Sequence, residues 1–323
     1  MTTVKTGSPV SLDALATALR RRARRDEPLA RYTAMRVGGP ADLLIVCESV
    51  DEVVRAVELA RRHGVNWRLL GGGCNVLIAD SGVRGLVIIN RAARIEFDGL
   101  IARAEAGALL AVLADGAVGR GLAGLEWAAG LPGTVGGAVV GNAGAFEGDI
   151  AGVLRSATLL EPGGGVIERS NEWFEFRYRG SRIKGAGGQG SGRESGGGYV
   201  VLEAAFALEP GDPEPLAVRA REIKEWRRTR HPAGATMGST FKNPPGSHAG
   251  CLIEQAGLRG TRIGGAQISE LHGNFFMNTG GATSADVWAL IERARAEVKS
   301  RFGVELELEI ELLGAGPWQE KSA

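Results

Sequence analysis

Cysteine is nearly absent from this sequence. Cys47, Cys74 and Cys251 are the only three in 323 residues. An odd, widely spaced set fits neither a disulfide framework nor a zinc site, and it suits a reducing cytoplasm. Histidine is as sparse, with four copies. His63 reads as a helix-end residue, and His231, His248 and His272 have no matching partner in the pattern, so no metal site is expected. The formal charge nearly cancels at +1, which removes a global electrostatic case for nucleic acid or a membrane surface. No uninterrupted apolar run reaches the roughly 18 residues of a spanning helix, so no membrane insertion is expected. The N-terminus lacks the charged, apolar and cleavage-site order of a secretory signal. No internal repeat is visible.

Glycine, by contrast, is abundant: 50 of 323 residues, roughly twice the usual share. Two runs stand out. One is Gly130-Leu131-Pro132-Gly133-Thr134-Val135-Gly136-Gly137-Ala138-Val139-Val140-Gly141-Asn142-Ala143-Gly144-Ala145-Phe146. Glycine loses the most backbone entropy on ordering, so such a run makes sense where the chain needs φ > 0 or close approach to a bound group. The run is also apolar up to Glu147. It reads either as a turn-rich core segment or as a wall of free N–H groups suited to a flat, partly anionic ligand. The second run, Leu70-Gly71-Gly72-Gly73-Cys74-Asn75, favours the ligand, held from two sides.

A chain of this length exceeds what one hydrophobic core usually serves, so two or three domains are expected. Ser11 reads as the cap of a helix bearing Leu12, Leu15 and Leu19 on one face. Arg20 to Arg25 then read as its solvated end. Ala41–Cys47 is a short strand, and Ser49 to Glu52 is a capping box opening a helix through His63. Val65–Leu70 and Leu86–Asn90 are further strands. Val76-Leu77-Ile78 follows the triple glycine and also reads as strand, whereas a dinucleotide-binding Rossmann loop leads into a helix. The loop instead suits a nest of N–H groups around a pyrophosphate, with Asn75 as an added polar contact. Farther on, a helix is expected up to Gly119, strands over Val153–Leu160, Gly165–Glu168 and Tyr199–Leu208, and a flexible loop over Gly185–Gly198. A basic amphipathic helix spans Leu216–Arg230 with Val218, Ile223 and Trp226 inward, and a short one Leu252–Ala256. A last helix capped by Ser284 directs Val287, Leu290, Ile291, Ala294, Val298 and Phe302 inward. Val304–Leu313 alternates apolar residues with glutamates, the period of a half-buried strand.

Several segments together carry a family resemblance: Thr33-Ala34-Met35-Arg36-Val37-Gly38-Gly39-Pro40-Ala41, Gly71–Asn75, Gly130–Ala138 and Asn142–Phe146. Tyr178-Arg179-Gly180-Ser181, Gly238-Ser239-Thr240-Phe241-Lys242-Asn243-Pro244 and Leu306–Ile310 follow in order. From about Arg31 to Gly314 the chain resembles the UDP-N-acetylenolpyruvoylglucosamine reductases, or UDP-N-acetylmuramate dehydrogenases, in their shorter form. Three positions depart from the family's habit: Cys74 stands where serine is frequent, Cys251 where a longer or basic residue is, and Thr261 where an aromatic is.

The resemblance implies an α+β fold. Two subdomains, 1–90 and 91–215, form an FAD-binding fold of the vanillyl-alcohol-oxidase type, and 216–323 form an α+β substrate domain. It implies noncovalent FAD, NADPH as co-substrate, and a monomer acting on a UDP-sugar in the cytoplasm. The reaction would be reduction of UDP-N-acetylglucosamine enolpyruvate to UDP-N-acetylmuramate, a step of peptidoglycan precursor synthesis and so of cell-wall growth, shape and division. Flavin N5 would deliver the hydride and Ser239 the proton. Arg179 suits the substrate carboxylate because a guanidinium forks onto it in fixed geometry. Glu309 would act electrostatically or relay a proton, although pattern alone makes it one more solvated glutamate. Without the resemblance Ser239 is a cap or turn serine, and Arg179 a surface residue of a basic turn.

Lys242 and Asn243 suit the UDP phosphates, and Gln267 joins them in substrate binding. The expected cofactor ligands are Arg36, Gly71, Gly72, Gly73, Cys74, Asn75, Gly130, Pro132, Gly133, Thr134, Gly136, Gly137, Asn142, Gly144 and Ala145. A side chain at Gly72 or Gly136 should meet the cofactor. The alternative is another FAD-dependent oxidase or dehydrogenase of the same fold acting on an alcohol or hydroxy acid, which would not need Gly238–Pro244. A nucleotide-sugar binding protein without catalysis would not need Arg179, Ser239 and Glu309.

Overall fold

A computed structural model describes residues 9–185 and 198–319. The expected loop between Gly185 and Gly198 lies outside the described residues. The chain forms two compact units, each discontinuous in sequence. The first takes Met1–Arg25, Leu43–Gly72 and Gly85–Trp226; the second takes Asp26–Asp42, Gly73–Arg84 and Arg227–Ala323. Residues 1–90 are shared between them, 91–215 lie in the first, and 216–323 lie nearly all in the second.

One sheet runs in the order Arg24–Pro28, Pro40–Cys47, Val83–Asn90, Trp67–Leu70. The last two strands are parallel, with Trp67 opposite Leu86 and Leu70 opposite Ile89. Leu86 to Asn90 are all buried, as expected of a parallel strand covered on both faces. Helix Val50–Arg62 inserts Val53, Val57 and Ala60 into a core with Leu43, Ile45, Trp67 and Leu86. Its capping box is half formed. The Ser49 hydroxyl accepts the Glu52 N–H at 3.3 Å, but the Glu52 carboxylate accepts from Glu48 N–H at 2.8 Å and pairs with Arg22. That pairing explains why the arginine run is not a helix end. The helix stops at Ala18, a 3-10 turn covers Arg20–Arg22, and a strand begins at Arg24. Arg22 bonds the Val46 carbonyl at 3.1 Å and Arg25 pairs with Asp13 at 2.6 Å. Ser11 lies inside helix Pro9–Ala18 and does not cap it.

The second sheet is antiparallel, in the order Val166–Ser170, Leu154–Leu160, Val200–Ala207, Ile101–Glu105, Ile95–Asp98. Helices Leu110–Val118 and Val135–Gly141 share its core through Leu113, Ala117, Val135 and Val139. Small residues on the sheet, Ala102, Ala104 and Ala204, leave room for close helix approach. Helix Pro213–Arg230 buries Ala220 and Ile223 with Val118 and Ala129. Val218 and Trp226, expected inward, are each 38% exposed, because this helix covers only that narrow patch. Trp226 instead meets the Phe146 ring edge-on at 5.1 Å.

The second unit is built on an antiparallel sheet in the order Ala235–Ser239, Phe275–Asn278, Ala266–Ile268, Arg262–Ile263. Helices Ala249–Gln255 and Ser284–Phe302 pack Leu252, Ile253, Leu290, Ile291, Ala294 and Val298 into its core. Phe302, expected inward, is exposed. Thr283, not Ser284, caps the last helix, in a full capping box with Asp286. Ser284 is buried one position on, where its hydroxyl donates to Asp80 at 2.8 Å and accepts the Asp80 N–H at 2.9 Å.

The alternating C-terminal stretch keeps its burial pattern but not its ladder. Leu306 and Ile310 are buried, and Glu305 and Glu307 are exposed. Only Glu311–Leu313 is a strand, parallel to Val76–Ile78. Before it, a single bridge joins Leu308 to Phe241. Val76–Ile78 therefore follows the triple glycine as a strand, and no helix opens there. Among the described residues no helix is long and apolar enough to cross a membrane, and no group of three or more His, Cys, Asp or Glu is placed to hold a metal ion.

Candidate active site

The first unit carries Gly71, Gly72, the Gly130–Phe146 run and Arg179, and Gly73, Cys74 and Asn75 fall in the second. The loops meet within this unit: a Cβ built on Gly71 would overlap the Thr134 hydroxyl, and the Gly71 carbonyl accepts from Arg91 at 2.9 Å. Thr134 precedes helix Val135–Gly141 with extended backbone. The segment is tied down by Leu110 N–H to the Gly133 carbonyl at 3.1 Å and by Val135 and Gly136 N–H to the carbonyls of Ala108 and Ala106, both at 2.9 Å. The glycines differ in what they face. Nothing lies within 4 Å of a Cβ built on Gly133, whose φ is +119°, and Gly137 is exposed with only the Thr134 hydroxyl near, at 3.7 Å. That is a backbone cradle which a side chain would fill. Gly136 faces the other way, its built Cβ lying 2.8 Å from that of Ala106. A side chain there meets protein before ligand, which corrects the reason given for its sensitivity.

Arg179 sits at the tip of a tight turn closed by reciprocal bonds between Arg177 and Gly180, both 3.0 Å. Its φ is +54°, a region L-residues rarely adopt. The guanidinium donates to the Gly144 carbonyl at 2.9 Å, and Ser181 anchors the following residue by donating to the Val140 carbonyl at 2.7 Å. Asn142, expected to contact the cofactor, is 5% exposed. Its amide donates to Asp149 and to the Arg177 carbonyl, both at 3.2 Å, and its oxygen accepts the Ala151 N–H at 3.0 Å.

The second unit supplies the remaining candidates. Strand Ala235–Ser239 carries a register break between Thr236 and Ser239, with Gly238 at φ +76° in open space. A bulge re-aims the side chain that follows it, and that side chain is Ser239. The next residue bonds both neighbours of the site: Thr240 N–H donates to the Asn274 carbonyl, and Glu309 N–H donates to the Thr240 carbonyl, each at 2.9 Å. The Asn75 amide donates to the Glu309 carbonyl at 3.1 Å. Ser239, Glu309 and Asn75 are thus held on one bonded framework. Glu309 is half-buried, unlike the exposed Glu305 and Glu307. Lys242 pairs with Glu307 at 3.2 Å, and the Asn243 oxygen accepts the Ala249 N–H at 3.1 Å. Gln267 is buried among Arg262, Gly260 and Glu270. Arg36 is exposed at φ +55°, its carbonyl and that of Met35 bonded by Asn278. Gly73 packs on the Tyr32–Thr33 backbone and accepts the Ala34 N–H at 2.9 Å.

Two anchoring residues, Asn274 and Asn278, escaped the sequence reading, and Asn142 was singled out only as a cofactor ligand. Asn274 is 3% exposed and grips Phe241 from both sides, accepting its N–H at 2.9 Å and donating to its carbonyl at 2.8 Å. Asn278 holds the Arg36 turn, and Asn142 the Arg177–Gly180 turn. An isolated asparagine carries no periodic signal. Near Ser239, His231, His272 and Phe275 form a ring cluster with centroids 4.7–5.7 Å apart. Burial pushes His231 down to about 4, with Arg227 and His272 adding to the effect. Burial also lowers His272, whose Nδ1 accepts the Asn274 N–H at 3.1 Å.

Comparison with known proteins covers almost the whole chain. Residues 41–170 match the FAD binding domain family, and residues 230–313 match the C-terminal domain of UDP-N-acetylenolpyruvoylglucosamine reductase. A curated UDP-N-acetylenolpyruvoylglucosamine reductase of Rubrobacter xylanophilus is 47% identical over 291 residues, covering 90% of this chain and 94% of its own. One from Bacillus cereus is 41% identical over 292 residues with the same coverage. The crystal structure of the Thermus caldophilus reductase is 34% identical with a TM-score of 0.76, over 90% of this chain and 100% of that one. These matches bear out the α+β FAD-binding fold of the vanillyl-alcohol-oxidase type, with its separate C-terminal domain, and an FAD-dependent oxidoreductase. The open glycine backbone at Gly133 and Gly137 fits such a cofactor. With 94% of a relative's length matched at 47% identity, the chain belongs to the UDP-N-acetylenolpyruvoylglucosamine reductase family.

Proposed function

We propose that the protein reduces the enolpyruvyl double bond of UDP-N-acetylglucosamine enolpyruvate to give UDP-N-acetylmuramate, with NADPH as the source of reducing equivalents. Bound FAD supplies hydride chemistry, and the chain supplies binding, charge and a proton. Gly71, Gly72, Gly73, Gly130, Pro132, Gly133, Thr134, Gly137, Gly144 and Ala145 present backbone to the cofactor, with Arg36, Cys74 and Asn75 adding polar contacts. Gly136 allows the loop to pack. Arg179 binds the enolpyruvyl carboxylate, where negative charge grows during reduction, and a fixed cation there lowers the barrier. Ser239 gives the proton to carbon. Glu309 polarises it or passes a proton on. Lys242, Asn243 and Gln267 bind the UDP-sugar. Residues 1–90 and 91–215 serve FAD and 216–323 the substrate. The protein works as a monomer in the cytoplasm, within peptidoglycan precursor synthesis.

The observation that carries this reading is the framework joining the Ser239 bulge to Glu309 through Thr240. A hydroxyl is a weak acid and needs such a fixed polar neighbour to protonate carbon. Rapid-mixing spectroscopy tests it by separating the half-reactions. In Ser239→Ala, flavin bleaching by NADPH should stay near the native rate, because no carbon is protonated. Flavin reoxidation by the enolpyruvyl substrate should slow by about 10²–10⁴-fold. Reoxidation at the native rate would remove Ser239 from the chemistry.

A further inference from the structure

Arg179 faces a difficulty that its own segment does not solve. It occupies a left-handed turn, φ +54°, behind exposed Arg177 and Tyr178. A guanidinium that must fork onto a carboxylate requires fixed geometry. The turn's own reciprocal Arg177–Gly180 bonds close it but do not aim it.

Asn142 supplies that constraint. It lies in the glycine loop, itself left-handed at φ +44°, a conformation asparagine tolerates better than most residues. Its amide makes three bonds in a buried setting. One reaches the Arg177 carbonyl at the base of the turn, one the Asp149 carboxylate, and its oxygen takes the Ala151 N–H. Asp149 is fixed in turn, accepting the Gly152 N–H at 3.0 Å as a helix cap. It also sits opposite Gly144 in a two-residue ladder, and the Gly144 carbonyl receives the Arg179 guanidinium at 2.9 Å. Base and tip of the turn are therefore tied to the same short stretch, Asn142–Gly144, backed by Asp149. Removing the Asn142 donor leaves the Arg177 carbonyl only its bond from the Gly180 N–H, inside the turn itself, and frees the base while the tip stays tied.

We propose that Asn142, oriented by Asp149, is a positioning residue for Arg179, setting the geometry of the carboxylate grip and not contacting the cofactor. This rests on the assignment of Arg179 to the substrate carboxylate. Asn142→Asp is the sharpest variant, since aspartate also tolerates the left-handed backbone and can still accept the Ala151 N–H. It loses both donations and faces the Asp149 carboxylate. The double variant Asn142→Asp/Asp149→Asn restores the bond between positions 142 and 149 and keeps a capping side chain at 149. It does not restore the donor from position 142 to Arg177.

Four readouts are needed on the full-length protein: flavin content, amide hydrogen exchange of the peptide containing Arg177–Gly180, flavin reduction by NADPH, and reoxidation by the enolpyruvyl substrate. Both variants should keep flavin at native stoichiometry and reduce it within about twofold of the native rate. Exchange in the turn should rise about tenfold, and reoxidation should slow about 10- to 100-fold, the scale of misplaced reacting groups. Loss of flavin with both half-reactions falling together would overturn the proposal and make Asn142 a cofactor or purely structural residue. So would recovery of native reoxidation in the double variant, because the Arg177 donor would then be dispensable. Arg179→Lys run in parallel tests the underlying assignment: native reoxidation in that variant removes Arg179 from the grip. The hold on the turn is then judged by exchange alone, faster exchange upholding it and unchanged exchange overturning it.

Discussion

The two units carry different kinds of candidate residue. The first offers mainly backbone: open peptide groups at Gly133 and Gly137, and a loop contact between Gly71 and Thr134. Its candidate side chain, Arg179, is held at the Gly144 carbonyl, and the turn that carries it is bonded by Asn142 at the Arg177 carbonyl. The second offers side chains, with Ser239 re-aimed by a bulge and Glu309 half-buried on a bridged, irregular segment. A cofactor bound along its length needs shape and N–H groups, which glycine provides. A proton delivered to one carbon needs a particular hydroxyl in a particular place.

That division should show first in Glu309→Gln. The loss of its charge should leave flavin binding and NADPH oxidation intact and slow reoxidation by about 10²–10³-fold, measured by rapid mixing. Equal loss in both half-reactions would place Glu309 with the cofactor machinery and break the contrast between the units.

The same contrast explains what the sequence made legible. Glycine spacing disclosed the first unit's loops because close approach and φ > 0 restrict the residue type. The strand after Gly73 correctly excluded a Rossmann site, and helix periodicity placed Val53, Val57, Leu290 and Ile291 inside. Trp226 and Phe302 were misplaced, since periodicity says which residues share a face and not how much of it a neighbour covers. In the second unit, period 2 over Val304–Leu313 predicted a full strand, but burial alternation does not require a partner strand. The roles of Ser239 and Glu309 came from family resemblance alone, and Asn274, Asn278 and Asn142 were not visible as anchors at all. A buried amide bonded to main chain leaves no pattern in the chain.

Asn274→Ala should be the costliest stability change among the candidate residues of the second unit. It strands the buried N–H and carbonyl of Phe241, at about 2–4 kcal/mol, measurable by denaturant unfolding followed on the unit's tryptophans, Trp288 and Trp318. A change below about 0.5 kcal/mol would mean that the Gly238–Pro244 loop is held by other means.

Acid should then separate the units. His231 has a folded value of about 4 against an ordinary 6.5, so the unfolded chain binds the extra proton. Its contribution is complete above pH 6.5 and is lost as pH falls toward 4, about 1–3 kcal/mol in all. Glu52, in the first unit, is held near 2 against 4.5, first by its bond from Arg22 and then by the Glu48 N–H. Its contribution is complete above pH 4.5 and is lost only as pH falls toward 2. Because that pair is exposed, about 0.2–1 kcal/mol is expected. Unfolding titrations of His231→Phe should lessen the pH dependence of the upper window alone, leaving the share of His272, and those of Arg22→Ala that of the lower.

The smallest effect sharpens the cradle. Gly137→Ala enters open space in a helix, so the apoprotein should gain about 0.5–1 kcal/mol. FAD affinity should fall by about tenfold if the cofactor lies against that backbone, as read by fluorescence titration. Unchanged affinity would move the cofactor away from Gly137.

The central claim is that electrons stored by this protein go to an enolpyruvyl UDP-sugar. The direct measurement is anaerobic: reduce the purified holoprotein with one equivalent of NADPH, mix it with UDP-N-acetylglucosamine enolpyruvate, and follow the oxidised flavin band. Full recovery of that band within a single turnover, with UDP-N-acetylmuramate formed in equal amount, is the predicted result. A flavin that stays reduced in the presence of this substrate, or one that is reduced by alcohols or hydroxy acids instead of NADPH, would contradict the account.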